Sequence, residues 1–504
     1  MNTKRLFILF LTLFVSAVST IGQTASVSPK PPAAEEKKKQ AEEEKEKQLR
    51  REREIQNLVL TANNQPIEIA ADVLFNALDA KLIKDQQKQR AIIEDLFRRA
   101  SEAKEPFKMT YYGGNVDTRP GYRSSALDLN LDQLSIQLRA VKLMMTIDKL
   151  KARQMFRDIP DLKLLAQLCD HVLSYVISDY YKLLKDIVDQ TFQPEERQRK
   201  QHIYFASTYI ESMDSPAQIE PMISFLASVK VTPAEFSILL DSFIASLRKV
   251  GASPRGFALS MRDRLPGAIK YLIEAESKAT NAETSQTSRA FRTYLAKQLS
   301  GTQCADSLMT GSKEKKHPLI EAVNVLFESP LTEEEIKPEK VDPAAKVFIY
   351  WKTPKLVKLM PEYAKLRFGA KDALSLEERN KQEWLQAFLK FLEQMDDWKP
   401  EDEETEADYL HQRSVLYYGL IQIAPPGPLL SNVLRSYALF LRDSKMQKES
   451  PAQWLHYLKL VLRISKELKG KDYDEFMNTL NNSGHPVFTL YSELDRLKSA
   501  AAQK

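Results

Sequence analysis

Cys169 and Cys304 are the two thiol-bearing residues of a 504-residue chain. A thiol can serve as nucleophile, metal ligand or half of a disulfide. Cys169 begins the run Cys169-Asp170-His171, and Asp306 and His317 follow Cys304, so residue types that ligate zinc occur near both cysteines. On a helix, however, Cys169 and His171 would point about 200° apart and could not chelate one ion. The six histidines show no i,i+4 pair and no zinc-site spacing, so no metal is expected.

Other familiar chemistry is equally thin. Ser-x-x-Lys occurs at Ser101/Lys104, Ser246/Lys249 and Ser312/Lys315, at the frequency chance would give in a lysine-rich chain and without companion motifs. Asp396/Asp397 and the acidic run from Glu401 to Asp408 offer paired carboxylates, but both lie in charged connections where solvent would hold them ionised. There is no phosphate-binding Gly-rich loop, no His-Glu-x-x-His and no Gly-x-Ser-x-Gly. No catalytic residue and no cofactor is assigned.

One loop invites a binding role. Between Met109 and Ser125, three of the fourteen glycines fall together with Tyr111, Tyr112, Arg119, Tyr122 and Arg123. Tyrosine and arginine combine large contact area with hydrogen bonding, which suits recognition. A long loop that packs its own aromatics onto the body is the structural alternative. The aromatic run from Lys346 to Pro354 reads instead as the buried start of a helix.

The elements that would position these residues are helical. Glycine is scarce, apolar residues recur at three-and-four spacing, and no period-two strand series appears. Residues 161–188 read as one long helix with Leu165, Cys169, Val172, Val176, Tyr180, Leu183 and Ile187 on a single stripe. Ser215, Thr232 and Ser450 each precede Pro-Ala-Gln or Pro-Ala-Glu, a hydroxyl N-cap with a capping-box partner. The first two suggest an antiparallel αα-hairpin. No fixed repeat is present, so the expectation is an all-α fold: an irregular helical bundle or an α-solenoid-like array of αα-hairpins. Its length suggests two helical domains, 56–312 and 313–504, with a short helix, Leu319 to Phe327, near the boundary and a loop at Ala424 to Pro428.

The first 22 residues read as a signal peptide: Lys4 and Arg5 precede thirteen mostly apolar residues, Leu6 to Val18. That run is short of the roughly 20 needed to span a bilayer, so any membrane attachment would be through an uncleaved signal segment. Residues 23–55 form a Pro-rich linker and a charged spacer helix with pairs such as Glu35/Lys39, Glu43/Lys47 and Glu46/Arg50. Loss of Lys4 and Arg5 would take the formal charge from +5 to +3, too little for a dedicated nucleic-acid binder. The expected location is periplasmic or extracellular.

Export gives the cysteines an oxidising compartment, where a bridge between Cys169 on its helix and Cys304 in a loop after Gly301 would form and persist. Two buried free thiols, or a reactive or metal-binding role, are the alternatives. The stretches "IPDLKLLAQLCDHVLSYVISDYYKLL", "SPAQIEPMISFLASV" and "LAKQLSGTQCADS" resemble segments of uncharacterised secreted, helix-rich bacterial proteins across roughly residues 70–310. That resemblance implies a helical unit containing both cysteines and no activity. The functional expectation is an exported, non-enzymatic scaffold or interaction protein with a protein or cell-envelope partner. The alternatives are an exported hydrolase acting on envelope or extracellular polymer, and a chaperone-like periplasmic binder.

Overall fold

Several helix starts in this chain are set by side chains that reach back to the backbone amides the first turn leaves unpaired. Asp85 Oδ1 accepts from the amides of Gln87 (2.8 Å) and Lys88 (3.1 Å). Asp132 accepts from Ser135 N, and Asp148 from Lys151 N. Thr232 with Glu235 and Ser375 with Glu378 form complete capping boxes.

The computed structural model describes residues 33–111, 125–171, 173–260, 265–280, 285–304, 318–337, 339–341, 352–368, 373–400 and 404–502. The chain divides into two units, Met1–Glu54 and Ile55–Lys504. In the first, the described residues belong to α1 (Ala33–Asn63), and every side chain from 39 to 50 is exposed. A run of alternating charge has no apolar face to bury. Arg50 and Glu54 pair there at 3.4 Å.

The second unit begins with the last turns of α1, where Leu58 and Ala62 are buried. It continues with α2 (Ile67–Asp79), α3 (Gln86–Arg99), β1 (Met109–Tyr111), α4 (Gln133–Met145), α5 (Lys149–Arg157), β2 (Leu173–Tyr175), α6 (Ser178–Gln190), α7 (Pro194–Gln198) and α8 (Gln201–Glu211). Next come α9 (Ile219–Ser228), α10 (Pro233–Lys249), α11 (Pro254–Ser260), α12 (Leu265–Thr280), α13 (Gln286–Ser300), β3 (Thr302–Cys304), α14 (Pro318–Asn324) and β4 (Glu339–Val341). The last part is α15 (Pro354–Arg367), α16 (Leu376–Arg379), α17 (Gln382–Asp396), α18 (Glu406–Ile423), α19 (Pro428–Asp443), α20 (Met446–Glu449), α21 (Pro451–Ser465), α22 (Lys471–Asn482) and α23 (Pro486–Ala502). The fold is all-α, with two minimal sheets: β1 and β2 antiparallel, β3 and β4 parallel.

Several sequence expectations need correction. Residues 161–188 are not one helix. α5 stops at Arg157, ahead of Pro160, and regular helix resumes only at Ser178. Cys169 therefore sits in a non-helical connector, and Leu165, expected on the buried stripe, is 75% exposed. The short strand β2, absent from the expectation, closes that connector.

The Ser215 box is formed, but it opens a 3₁₀ turn (Pro216–Gln218) ahead of α9. The helices it was expected to join into a hairpin pack chiefly elsewhere: α9 along α6, and α10 along α8. Ser450 makes no side-chain cap; its amide donates to Met446 O (2.9 Å), ending α20 as α21 begins, and so is not open to the Gln453 side chain that a capping box would bring to it.

The expected domain boundary at 312 falls outside the described residues, and the helices on either side share one apolar core from Leu58 to Leu497. An open solenoid would keep its ends apart, whereas here α2 packs on α21 and α23. α2 is buried almost all round, and its Asp72 lies within that contact. Lys459 Nζ donates to Asp72 Oδ1 (2.5 Å) and Tyr491 Oη to Oδ2 (2.6 Å). Lys498 Nζ adds a bond to Asn76 Oδ1 at 3.3 Å.

Candidate functional site

The two cysteines do meet. Their sulfurs lie 2.17 Å apart, at disulfide distance, with Cα atoms 5.1 Å apart, and both side chains are buried. The partners are a connector and a strand, not a helix and a loop. Cys304 ends β3, which α13 delivers after Gly301.

The connector carrying Cys169 has few backbone bonds of its own, so its polar groups are satisfied from outside. Gln167 N donates to Ser253 Oγ (2.9 Å), and Arg255 N donates to Gln167 O (3.0 Å). The Gln167 side chain spans to β2, donating to Leu173 O (2.8 Å) and accepting from Ser174 Oγ (3.2 Å). Arg255, fully buried, donates through Nη2 to Cys169 O at 2.6 Å. Gln167, Ser253 and Arg255 were missed by sequence reasoning, since nothing in their spacing links α11 to a connector 86 residues earlier.

Of the loop's candidate binding residues, the structure places the backbone of Tyr111, which ends β1 opposite Leu173. Tyr112, Arg119, Tyr122 and Arg123 lie outside the described residues, as do Asp306, Ser312, Lys315, His317 and most of the 346–354 run.

The remaining candidates are used locally. His171 Nδ1 accepts from Leu168 N at 3.0 Å on the surface. His202 Nε2 is 3.3 Å from Glu235, the capping residue of α10, and burial holds it below the usual histidine range. His411 Nδ1 is 2.6 Å from Tyr457 Oη, and burial pushes it down to about 3. His485 bonds Gln447 Oε1 (3.0 Å) and stacks on Trp454.

Asp396 accepts from Tyr417 Oη (2.6 Å), and Asp408 completes the cap at Thr405. Ser246 is buried while Lys249 is exposed. Among the described residues no three His, Cys, Asp or Glu side chains converge as a metal site. A depression of about 460 Å³ opens where α3 and α5 begin, lined by Ile147 and Leu150 as well as by Gln86, Arg90, Asp148 and Lys149. Its Arg90 already pairs with Asp148 (3.3 Å) and Glu94 (3.0 Å).

The surface of α15 is built differently. Leu356, Leu359, Tyr363 and Leu366 bury one face. Three contacts seat it: Thr353 Oγ1 donates to Gln412 Oε1 (2.6 Å), Trp384 Nε1 to Leu366 O (3.0 Å), and Tyr363 lies so close to Gly419 that a Cβ there would meet its hydroxyl at 2.5 Å. The opposite face carries Val357 and Met360, with Phe368 just past the helix end, exposed by 55%, 38% and 47%. A helix apolar on both sides departs from the ordinary one-faced pattern.

The chain matches no protein-family model, and no curated protein or solved structure is similar enough to match it.

Two predictions follow from these groups. Denatured, unreduced protein should titrate no free thiol, and reduction should lower the urea midpoint, since opening a 135-residue loop removes up to about 4–5 kcal/mol in the chain-entropy account. Two titratable thiols would contradict the pairing.

His411 sets a pH dependence. The unfolded chain takes up its proton near the ordinary histidine value of 6.5, while the folded protein resists until about 3. Stability is thus lost as pH falls through that window, by about 1.4 kcal/mol per unit. Between pH 7 and 4.5, urea unfolding of the native chain should lose about 2–3 kcal/mol more than His411→Gln. Equal losses would remove His411 from the account.

Proposed function

We propose that the chain is an exported, non-enzymatic helical scaffold whose task is contact with a protein or surface of the cell envelope. The observation that carries this reading is the outward apolar face of α15, on a helix whose other face is already buried. Exposed Val357 and Met360 on a seated helix, with Phe368 at its end, are a surface for association rather than for turnover.

Export is supported by the N-terminal pattern and by the cysteine pair, which is compatible with an oxidising compartment. No helix of the described residues is long and apolar enough to cross a membrane. The charged, exposed helix at residues 39–50 suits a spacer between that N-terminal segment and a folded body.

Cross-linking in intact cells, followed by denaturing purification of the exported chain, tests this. The reading expects adducts larger than the chain itself in the envelope fraction. Recovery of uncross-linked chain that turns over an envelope polymer would overturn it in favour of a hydrolase.

A further inference from the structure

We infer that the outward face of α15 is an interfacial docking surface for anionic lipid. It deepens the scaffold reading by naming what one of its surfaces touches.

Successive residues of an α-helix are rotated by about 100°, so Met360, Ala364, Val357, Pro361 and Pro354 fall on one arc of roughly 120°, and Phe368 follows at the helix end, where the backbone has turned extended and bridges to Ala373. All six are apolar, and all are exposed except Ala364, which is half-buried. Pro361 lies toward one edge of the arc, where the missing amide leaves the carbonyl of Val357 without its helical donor on the solvent side. Basic residues flank the arc. Lys358 and Lys365 stand along one edge, and Arg367, whose guanidinium lies 5.1 Å from the Phe368 ring, along the other. Over the whole helix four cations, Lys355 included, face a single carboxylate, Glu362.

Size and charge select the occupant. A 14-residue helix is about 21 Å long. One face of it offers far less than the roughly 800 Å² per partner that a stable protein interface or dimer buries. An amphipathic helix at a bilayer surface needs no more than such a stripe, provided that cations beside it meet anionic headgroups. Because Thr353, Tyr363 and Leu366 hold the helix against α17 and α18, the apolar arc cannot turn inward, and water is its alternative.

The test places an environment-sensitive nitrobenzoxadiazole label at Met360→Cys in the full chain, the two native cysteines being paired. Val357→Cys is a second label site, and Tyr204→Cys on α8 is a control for insertion elsewhere. With phosphatidylglycerol vesicles, the emission from position 360 or 357 should shift to the blue and rise several-fold. Phosphatidylcholine vesicles should leave it unchanged, and the label at 204 should report water throughout. Lys358→Glu/Lys365→Glu should weaken partitioning by at least about tenfold.

A label at 357 and 360 that stays in water with anionic vesicles overturns the inference. So does an equal shift with neutral vesicles, or a shift that grows with protein concentration alone and marks a second copy as the occupant. The two readings fail separately. Absent shift with cross-linked adducts present removes lipid docking and leaves the scaffold, whereas turnover of an envelope polymer by chain that still binds the vesicles removes the scaffold reading.

Discussion

The carboxylate of Asp72 is the group around which the body closes. Burying a charge is costly unless it is paired and fully hydrogen-bonded. Here Lys459 and Tyr491 supply the donors, one from α21 and one from α23. Burial drives the Tyr491 hydroxyl far above its ordinary range, so it remains a donor. One turn earlier on α2, Glu68 accepts from Lys104 N at 2.9 Å, and burial raises its pKa. α2 thus carries two buried carboxylates: Glu68 fixes the segment after α3, 36 residues on, and Asp72 fixes helices 387 and 419 residues away. Apolar burial around α2 supplies the larger share of energy but no register. The carboxylates supply the register.

The connector at residues 158–177 obeys the same constraint by other means. Backbone that leaves the helical state must find partners, and Gln167, Ser253, Arg255 and the cysteine pair provide them. The body whose first and last helices pack together is thus fastened again across α11 and β3. The second apolar face of α15 lies outside that core. Gly419 has its role here too, since only a residue without Cβ lets α18 approach Tyr363 closely enough to seat that helix.

Much of the architecture was legible in the sequence, and the failures share a cause. Thr232 was readable because the capping box is local: a hydroxyl and a glutamate three residues apart carry all the information needed. The all-α class was readable from periodicity. The stripe from Leu165 to Val176 misled because helical spacing says what a helix would look like, not whether one forms. Pro160 and the distant bonds from Ser253 and Arg255 decided against it. Ser450 misled because it also ends the preceding turn: its amide, which a capping box would give to the Gln453 side chain, already donates to Met446 O. The cysteine pair was readable as an alternative among several, its geometry being invisible in one dimension. The face of α15 was missed altogether, because Val357, Met360 and Phe368 look like core residues until Leu356, Leu359, Tyr363 and Leu366 are seen to fill that place.

The central claim is that Asp72 joins the two ends of one cooperative body, and hydrogen exchange of Asp72→Ala under native conditions tests it most directly. Removing the carboxylate strips Lys459 and Tyr491 of their partner, though Lys459 keeps a third of its side chain in water, which tempers its share. The account predicts that amides of α2, α21 and α23 lose protection together, by about 2–3 kcal/mol. Unchanged protection in α21 and α23, or loss confined to α2, would contradict it.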